Sequence, residues 1–356
     1  MKTPALSFIL LYLVSTVLVA TPGFSHAAAQ ESEKTGKELH SVAYLTLRNV
    51  SSEPDPEDRF GDERDLMRAG QCIFSHASLS LLKPLSRNGL IYIPDNWNQL
   101  ESVTEVDELD FWAGIEENAG GQRPLLYLHG YNTSFTKACD QAALFQANLD
   151  LEQRLILFSW PSDGALLNYA RDEADLYWSV APLERVLQHM VEQFGAGGFD
   201  VVAHSLGARG LFVALVQLAH RHHDAIPLLN QLVLTAPDID AGIFQQYIAE
   251  VRPLVENISL YVSDNDRPLA LSEEVHGYPR LGQTGSQLEN LQGIEIIDIS
   301  KVGVRSFSGH LYHLYQGSVV QDLDLLLNRG FKAGQRDTLI AVDENHWQLR
   351  EMEADQ

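Results

Sequence analysis

The chain has 356 residues, of which 45% are hydrophobic and 21% charged. That balance excludes a disordered or fibrous polymer and leaves room for one large α/β domain or two small ones. Its 25 basic and 48 acidic residues give a formal charge of −23, and a surplus of that sign repels nucleic acid and anionic membrane surfaces, so no nucleic-acid partner is expected.

The chain opens with Lys2, an uncharged apolar run from Ala5 to Ala20, and the small residues Ser25, His26, Ala27, Ala28 and Ala29. This is the pattern of a secretory signal peptide over 1–29, with cleavage expected after Ala27 or after Ala29. The run is shorter than the ~20 apolar residues of a spanning helix and ends at Pro22 and Gly23, so no stable membrane insertion is expected after cleavage. An exported protein, periplasmic or secreted, is the expectation. Export permits a disulfide, but Cys72 and Cys139 have no framework spacing; a bridge and two buried thiols stay equally open.

Residues 30–40 are mostly polar and read as a flexible lead-in. Strands are predicted at Val42–Leu47, Cys72–Phe74 and Gly89–Ile93, with a Pro-interrupted loop over Ser51–Asp58. They would be the opening antiparallel strands of a mixed sheet. From residue 123 onward, short apolar runs alternate with helical stretches: Leu125–Leu128, Leu155–Phe158, Phe199–Ala203, Gln231–Leu234, Ile258–Val262 and Ile294–Ile299. Continuous apolar runs belong to strands buried on both faces, so these form a parallel sheet with helices on both sides. The connection from Ala236 to Asn257 holds only about twenty residues, enough for one helix and too few for a large lid domain. One domain is expected over 41–330, followed by a tail over 331–356.

The chemistry concentrates where the run Phe199–Ala203 meets Ala203-His204-Ser205-Leu206-Gly207 and then an apolar helical stretch. A serine on such a strand-to-helix turn is a nucleophile elbow, with small residues two before and two after it because neighbouring backbones nearly touch. Gly is usual at both places, so Ala203 is a departure. A serine hydroxyl needs a histidine to take its proton and a carboxylate to orient that histidine. Both follow in sequence: Ser263-Asp264-Asn265-Asp266 after one run, and Gly309-His310-Leu311-Tyr312-His313 after the next. Asp266 is the expected acid, with Asp264 as a turn cap and Asp238 or Asp240 as runners-up one strand earlier. His310 is the expected base, with His313 as the alternative. Oxyanion donors are expected from the amides of Leu206 and of Tyr131, in His129-Gly130-Tyr131-Asn132 after the first parallel strand. Trp160-Pro161-Ser162-Asp163 lies on the same rim and reads equally as pocket lining or as a plain turn. His220, His222 and His223 do not share one helix face and read as a solvated terminus. No zinc, P-loop or dinucleotide signature occurs, so no metal or cofactor is expected.

At these residues the sequence resembles a family of uncharacterised alpha/beta hydrolases, the domain of unknown function 900, over about residues 123–325. The resemblance rests on Leu-Tyr-Leu-His-Gly-Tyr-Asn at 126–132, Phe-Ser-Trp-Pro-Ser-Asp-Gly at 158–164, Ala-His-Ser-Leu-Gly at 203–207, Ala-Pro-Asp-Ile-Asp at 236–240, Ser-Asp-Asn-Asp at 263–266 and Gly-His at 309–310. Phe60-Gly61-Asp62-Glu63-Arg64 also looks like a family feature. The resemblance implies the alpha/beta-hydrolase fold, a mixed, mostly parallel sheet, and a triad of Ser205, Asp266 and His310. It implies no particular substrate. The expected activity is hydrolysis of a small-molecule ester or acyl substrate; an acyltransferase or peptidase with the same triad, or a non-catalytic exported binding protein, are the alternatives.

Overall fold

The computed structural model describes residues 39–76, 98–151, 154–163, 168–222, 226–302 and 309–351. The signal peptide, most of the lead-in and the strand expected at Gly89–Ile93 lie outside the described residues. Eleven strands among the described residues form one sheet. They are β1 (Leu39–Val50), β2 (Phe60–His76), β3 (Asn98–Val106), β4 (Leu125–Leu128), β5 (Leu155–Ser159), β6 (Asp200–His204), β7 (Leu229–Thr235), β8 (Val255–Val262), β9 (Glu295–Asp298), β10 (Leu339–Ala341) and β11 (His346–Leu349). Their order across the sheet is β10-β11-β9-β8-β7-β6-β4-β5-β1-β2-β3. The middle is parallel from β1 through β11, and antiparallel pairs close both edges, β1 with β2, β2 with β3, and β10 with β11.

Eight helices pack on this sheet: α1 (Glu108–Ala119), α2 (Phe135–Asn148), α3 (Tyr169–Phe194), α4 (Leu206–Arg221), α5 (Ala241–Val251), α6 (Arg267–His276), α7 (Tyr312–Tyr315) and α8 (Gly317–Leu327), counted among the described residues. They divide the core into two. Leu126 and Leu128 of β4 face the cluster built on α1, α3, α4 and α5, while Leu125 and Tyr127 face the one built on α2, α7 and α8. Alternate side chains of a strand point to opposite faces, so a strand covered on both sides is apolar along most of its length. That is why the central runs are legible in the sequence. Each such buried side chain stabilises the fold by roughly 1.5–3 kcal/mol.

Cys72 of β2 and Cys139 of α2 are joined by a disulfide, which ties a helix to the antiparallel edge of the sheet. The connection after β7 holds only α5 as an α-helix, in keeping with the absence of room for a lid. No helix among the described residues is long and apolar enough to cross a membrane. One expectation is corrected beyond residue 330. That stretch does not trail off as a tail: β10 and β11 extend the sheet, and β11 pairs in parallel with β9. Its anchor is Arg336, which is buried and reaches Asp322 of α8 and Glu295 of β9, each at 2.7 Å. The guanidinium neutralises carboxylates that burial would otherwise leave unpaired.

Candidate active site

Ser205 sits between β6 and α4 with φ 53° and ψ −123°, a conformation that a side-chain-bearing residue adopts only under strain. The surroundings enforce it. A Cβ on Gly207 would lie 2.3 Å from the carbonyl oxygen of His129, and one on Gly130 would lie 3.0 Å from Cβ of Ser205. Ala203 is paired across the sheet with Leu128 and Leu234; its single methyl is accommodated there. The Ser205 amide donates to the carbonyl of Thr235 at 3.0 Å, and its own carbonyl accepts from the Asp238 amide at 3.1 Å. The turn is thereby clamped between β6 and the loop after β7. Leu206 begins α4, and amides in the first turn of a helix have no acceptor within the helix, so this end carries partial positive charge.

Asp266 caps α6: its Oδ1 accepts from the Leu269 amide at 3.1 Å. The same fully buried carboxyl faces Nδ1 of His310, at 2.9 Å from Oδ1 and 2.8 Å from Oδ2. The chain reaches His310 through Gly309, whose φ of 75° is one that glycine adopts freely. With Nδ1 donating to the carboxylate, the neutral imidazole carries its lone pair on Nε2. The His310 ring packs 4.6 Å from the ring of His204, the residue before Ser205.

The alternatives fall elsewhere. His313 is buried in α7, with Nε2 3.0 Å from the Tyr127 hydroxyl, and burial lowers its pKa to about 3. Asp264 is exposed, and its amide donates to Ser300 Oγ at 3.0 Å. Asp240 caps α5. Asp238 is buried and committed to other partners: Ser272 Oγ at 2.7 Å, Arg209 Nη2 at 3.1 Å, the Tyr169 hydroxyl, and Arg280 Nε at 3.5 Å. Burial alone would raise its pKa, but Arg209 foremost, with the hydroxyls and Arg280, takes it below the ordinary carboxylate value. Among the histidines expected at a solvated terminus, His220 pairs with Glu250 at 2.7 Å; His223 lies outside the described residues.

The loop His129 to Thr133 is built into its place from below. Trp160 is wholly buried, stacks on His129 with centroids 5.1 Å apart, and donates Nε1–H to the His129 carbonyl at 3.0 Å. Asn132 is in a left-handed conformation, with φ 57°, and its amide donates to Asp172 Oδ2 at 3.2 Å. Asp172 also accepts from the Asp163 amide at 2.8 Å and from the Ser162 hydroxyl. Beneath both loops lies Arg48 of β1. Its guanidinium donates to the carbonyls of Thr133 at 2.7 Å, Ser162 at 2.9 Å and Gly61 at 3.2 Å, and to Ser159 Oγ at 2.9 Å. Complete burial lowers its pKa to about 10 despite the surrounding carboxylates, so it stays charged at neutral pH. Trp160 and Ser162 are therefore supports of the loop rather than a plain turn. Sequence reasoning missed Arg48 and Asp172; the available signal was a lone arginine at the end of an apolar strand, where an unpaired charge is costly.

A strained serine elbow on a mostly parallel sheet, with an Asp–His pair beside it, defines the class: this is an alpha/beta hydrolase fold. The chain belongs to the family described as alpha/beta hydrolase of unknown function (DUF900), whose model matches residues 112–329. Among solved structures it is similar to a gene product of Listeria innocua, at 14% identity over 64% of this chain and 99% of that one, with a TM-score of 0.38. It is similar as well to an esterase of Pyrobaculum calidifontis, at 12% identity over 58% of this chain and 77% of that one, TM-score 0.37. A third is carboxyl esterase 2 of the fungus Tuber melanosporum, at 14% identity over 61% of this chain and 80% of that one, TM-score 0.36. No curated protein matches the sequence.

Proposed function

We propose that the protein is a serine hydrolase acting on carboxylic esters. Ser205 Oγ attacks the acyl carbonyl, Nε2 of His310 takes the hydroxyl proton, and Asp266 holds the imidazole in the required tautomer. The tetrahedral oxyanion lies against the amides of Leu206 and Tyr131, each donor worth ~3–4 kcal/mol of the barrier. His310 then returns the proton to the leaving alkoxide, and water, deprotonated by the same nitrogen, releases the acid from the acyl-enzyme. The observation that carries this reading is the Asp266–His310 pair packed against the elbow that strains Ser205.

Labelling with a fluorophosphonate tests it. Ser205 of the folded protein should be modified stoichiometrically, and Ser205→Ala should abolish labelling; a folded wild type that resists the reagent refutes the reading. The small connection over α5 favours short, soluble acyl groups, which a series of p-nitrophenyl esters from acetate to palmitate would reveal as falling kcat/KM with chain length. Export is part of the same proposal. It is supported by the N-terminal charge, apolar and small-residue pattern and by the Cys72–Cys139 bond, which suits an oxidising compartment.

A further inference from the structure

His204 precedes Ser205 at the end of β6 and is buried. Its Nε2 lies 3.2 Å from the backbone carbonyl oxygen of His310. A carbonyl can only accept, so the ring donates there and Nε2 carries the hydrogen. Nδ1 is then left with the lone pair, and it has no hydrogen-bond partner among the described residues; it faces the Gly130 backbone, where a Cβ would come within 2.7 Å. On its flanks lie the rings of His310 at 4.6 Å and His313 at 4.5 Å, and His313 is anchored in turn by the Tyr127 hydroxyl. Burial first, then the neighbouring His313 and His310, keeps the His204 ring neutral. An apolar side chain of similar size would fill this space without the unpaired Nδ1, but it would leave the His310 carbonyl without this donor. What only the imidazole supplies is the Nε2–H donor.

We propose that His204 is a positioning residue: by donating Nε2–H to the His310 carbonyl, it fixes the backbone of the base relative to the nucleophile to which His204 is itself bonded. Among the described residues, the carboxyl of Asp266 holds the His310 ring at one atom, Nδ1, and a ring held at one atom can still swing. A second tether at the backbone removes that freedom. Because the tether comes from residue 204, movement of the elbow carries the base with it. This rests on the reading of Ser205 and His310 as nucleophile and base, and it predicts a loss in reactivity rather than in ligand affinity.

The test compares His204→Phe with His204→Gln in the full chain, reading the saturating rate and the half-saturating concentration for fluorophosphonate labelling of Ser205. Phe keeps an aromatic ring in the stack and loses the donor; Gln loses the ring and returns an N–H near the Nε2 position. The expected result is a saturating rate roughly 10²-fold lower for His204→Phe, the scale of a misplacement near 1 Å, with unchanged half-saturation and most of the loss recovered in His204→Gln. A packing role gives the opposite order, Phe near wild type and Gln impaired, and that result overturns the proposal. If His204→Phe does not fold, His204→Gln decides: a folded Gln variant more than about tenfold slower than wild type overturns it, and a near-wild-type rate supports it. An unlabelled wild type would instead bring down the functional reading, and this inference with it.

Discussion

Replacing Asp266 by Asn separates the chemistry of the site from its stability. The wild-type carboxyl accepts twice, from the Leu269 amide at 3.1 Å and from His310 Nδ1 at 2.8 Å. An asparagine has one oxygen to share. If that oxygen keeps the helix cap, the side-chain NH2 faces Nδ1, and His310 must move its hydrogen to Nε2, the atom that should accept the serine proton. Neutralising a triad acid in this way lowers kcat by roughly 10⁴, which corresponds to ~5 kcal/mol of barrier. The cap survives, so the stability loss is only that of a charge-assisted bond, about 2 kcal/mol. Asp238→Asn should do the reverse. It leaves the buried cations Arg209 and Arg280 without their shared carboxylate, a loss of ~3–5 kcal/mol in stability, while the folded enzyme keeps most of its rate. The assay is p-nitrophenyl ester turnover alongside urea unfolding of both variants. Asp266→Asn within tenfold of wild type, or a larger rate loss in folded Asp238→Asn, would refute the assignment of the acid.

Ser205→Gly should abolish turnover yet raise the unfolding free energy by about 1 kcal/mol, because glycine removes the strain stored at φ 53°; a less stable Gly variant would show that the turn stores none. Acid should destabilise the fold through buried histidines. Burial lowers His129 and His313 to about 3, whereas in the unfolded chain each takes up a proton below ~6.5, so their contribution is complete above that pH and is lost at up to ~1.4 kcal/mol per pH unit per residue between 6.5 and 3. Urea titrations at pH 7.5 and pH 5 should differ by about 4 kcal/mol from these two residues, and equal midpoints would contradict it. Mass spectrometry of exported protein should find a mature chain beginning at Ala28 or Gln30; intact Met1 on soluble cytoplasmic protein would overturn the signal-peptide reading.

The central strands β4 to β9 were legible because they are covered on both faces, a condition that near-continuous apolar runs satisfy. The elbow was legible for a local reason as well, since close backbone approach leaves no room for a side chain at 207. The strands β3, β10 and β11 were not foreseen: they stand at or near the sheet edges, where partial exposure relaxes the apolar demand, and β11 in particular reads His-Trp-Gln-Leu. Which histidine and which aspartate meet was a matter of order along the chain, and sequence could rank the candidates only by loop position. Three-dimensional packing decided it. Asp266 and His310 touch because β8 and β9 are neighbours in the sheet, whereas Asp238 is drawn to Arg209 and Arg280. The roles of Arg48, Asp172 and His204 depend on contacts between separate elements, 85 positions from Arg48 to Thr133, 40 from Asn132 to Asp172 and 106 from His204 to His310. Local pattern records what a residue's own strand or turn requires of it; partners that arrive from other elements leave no periodic trace, so only the tertiary structure assigned them.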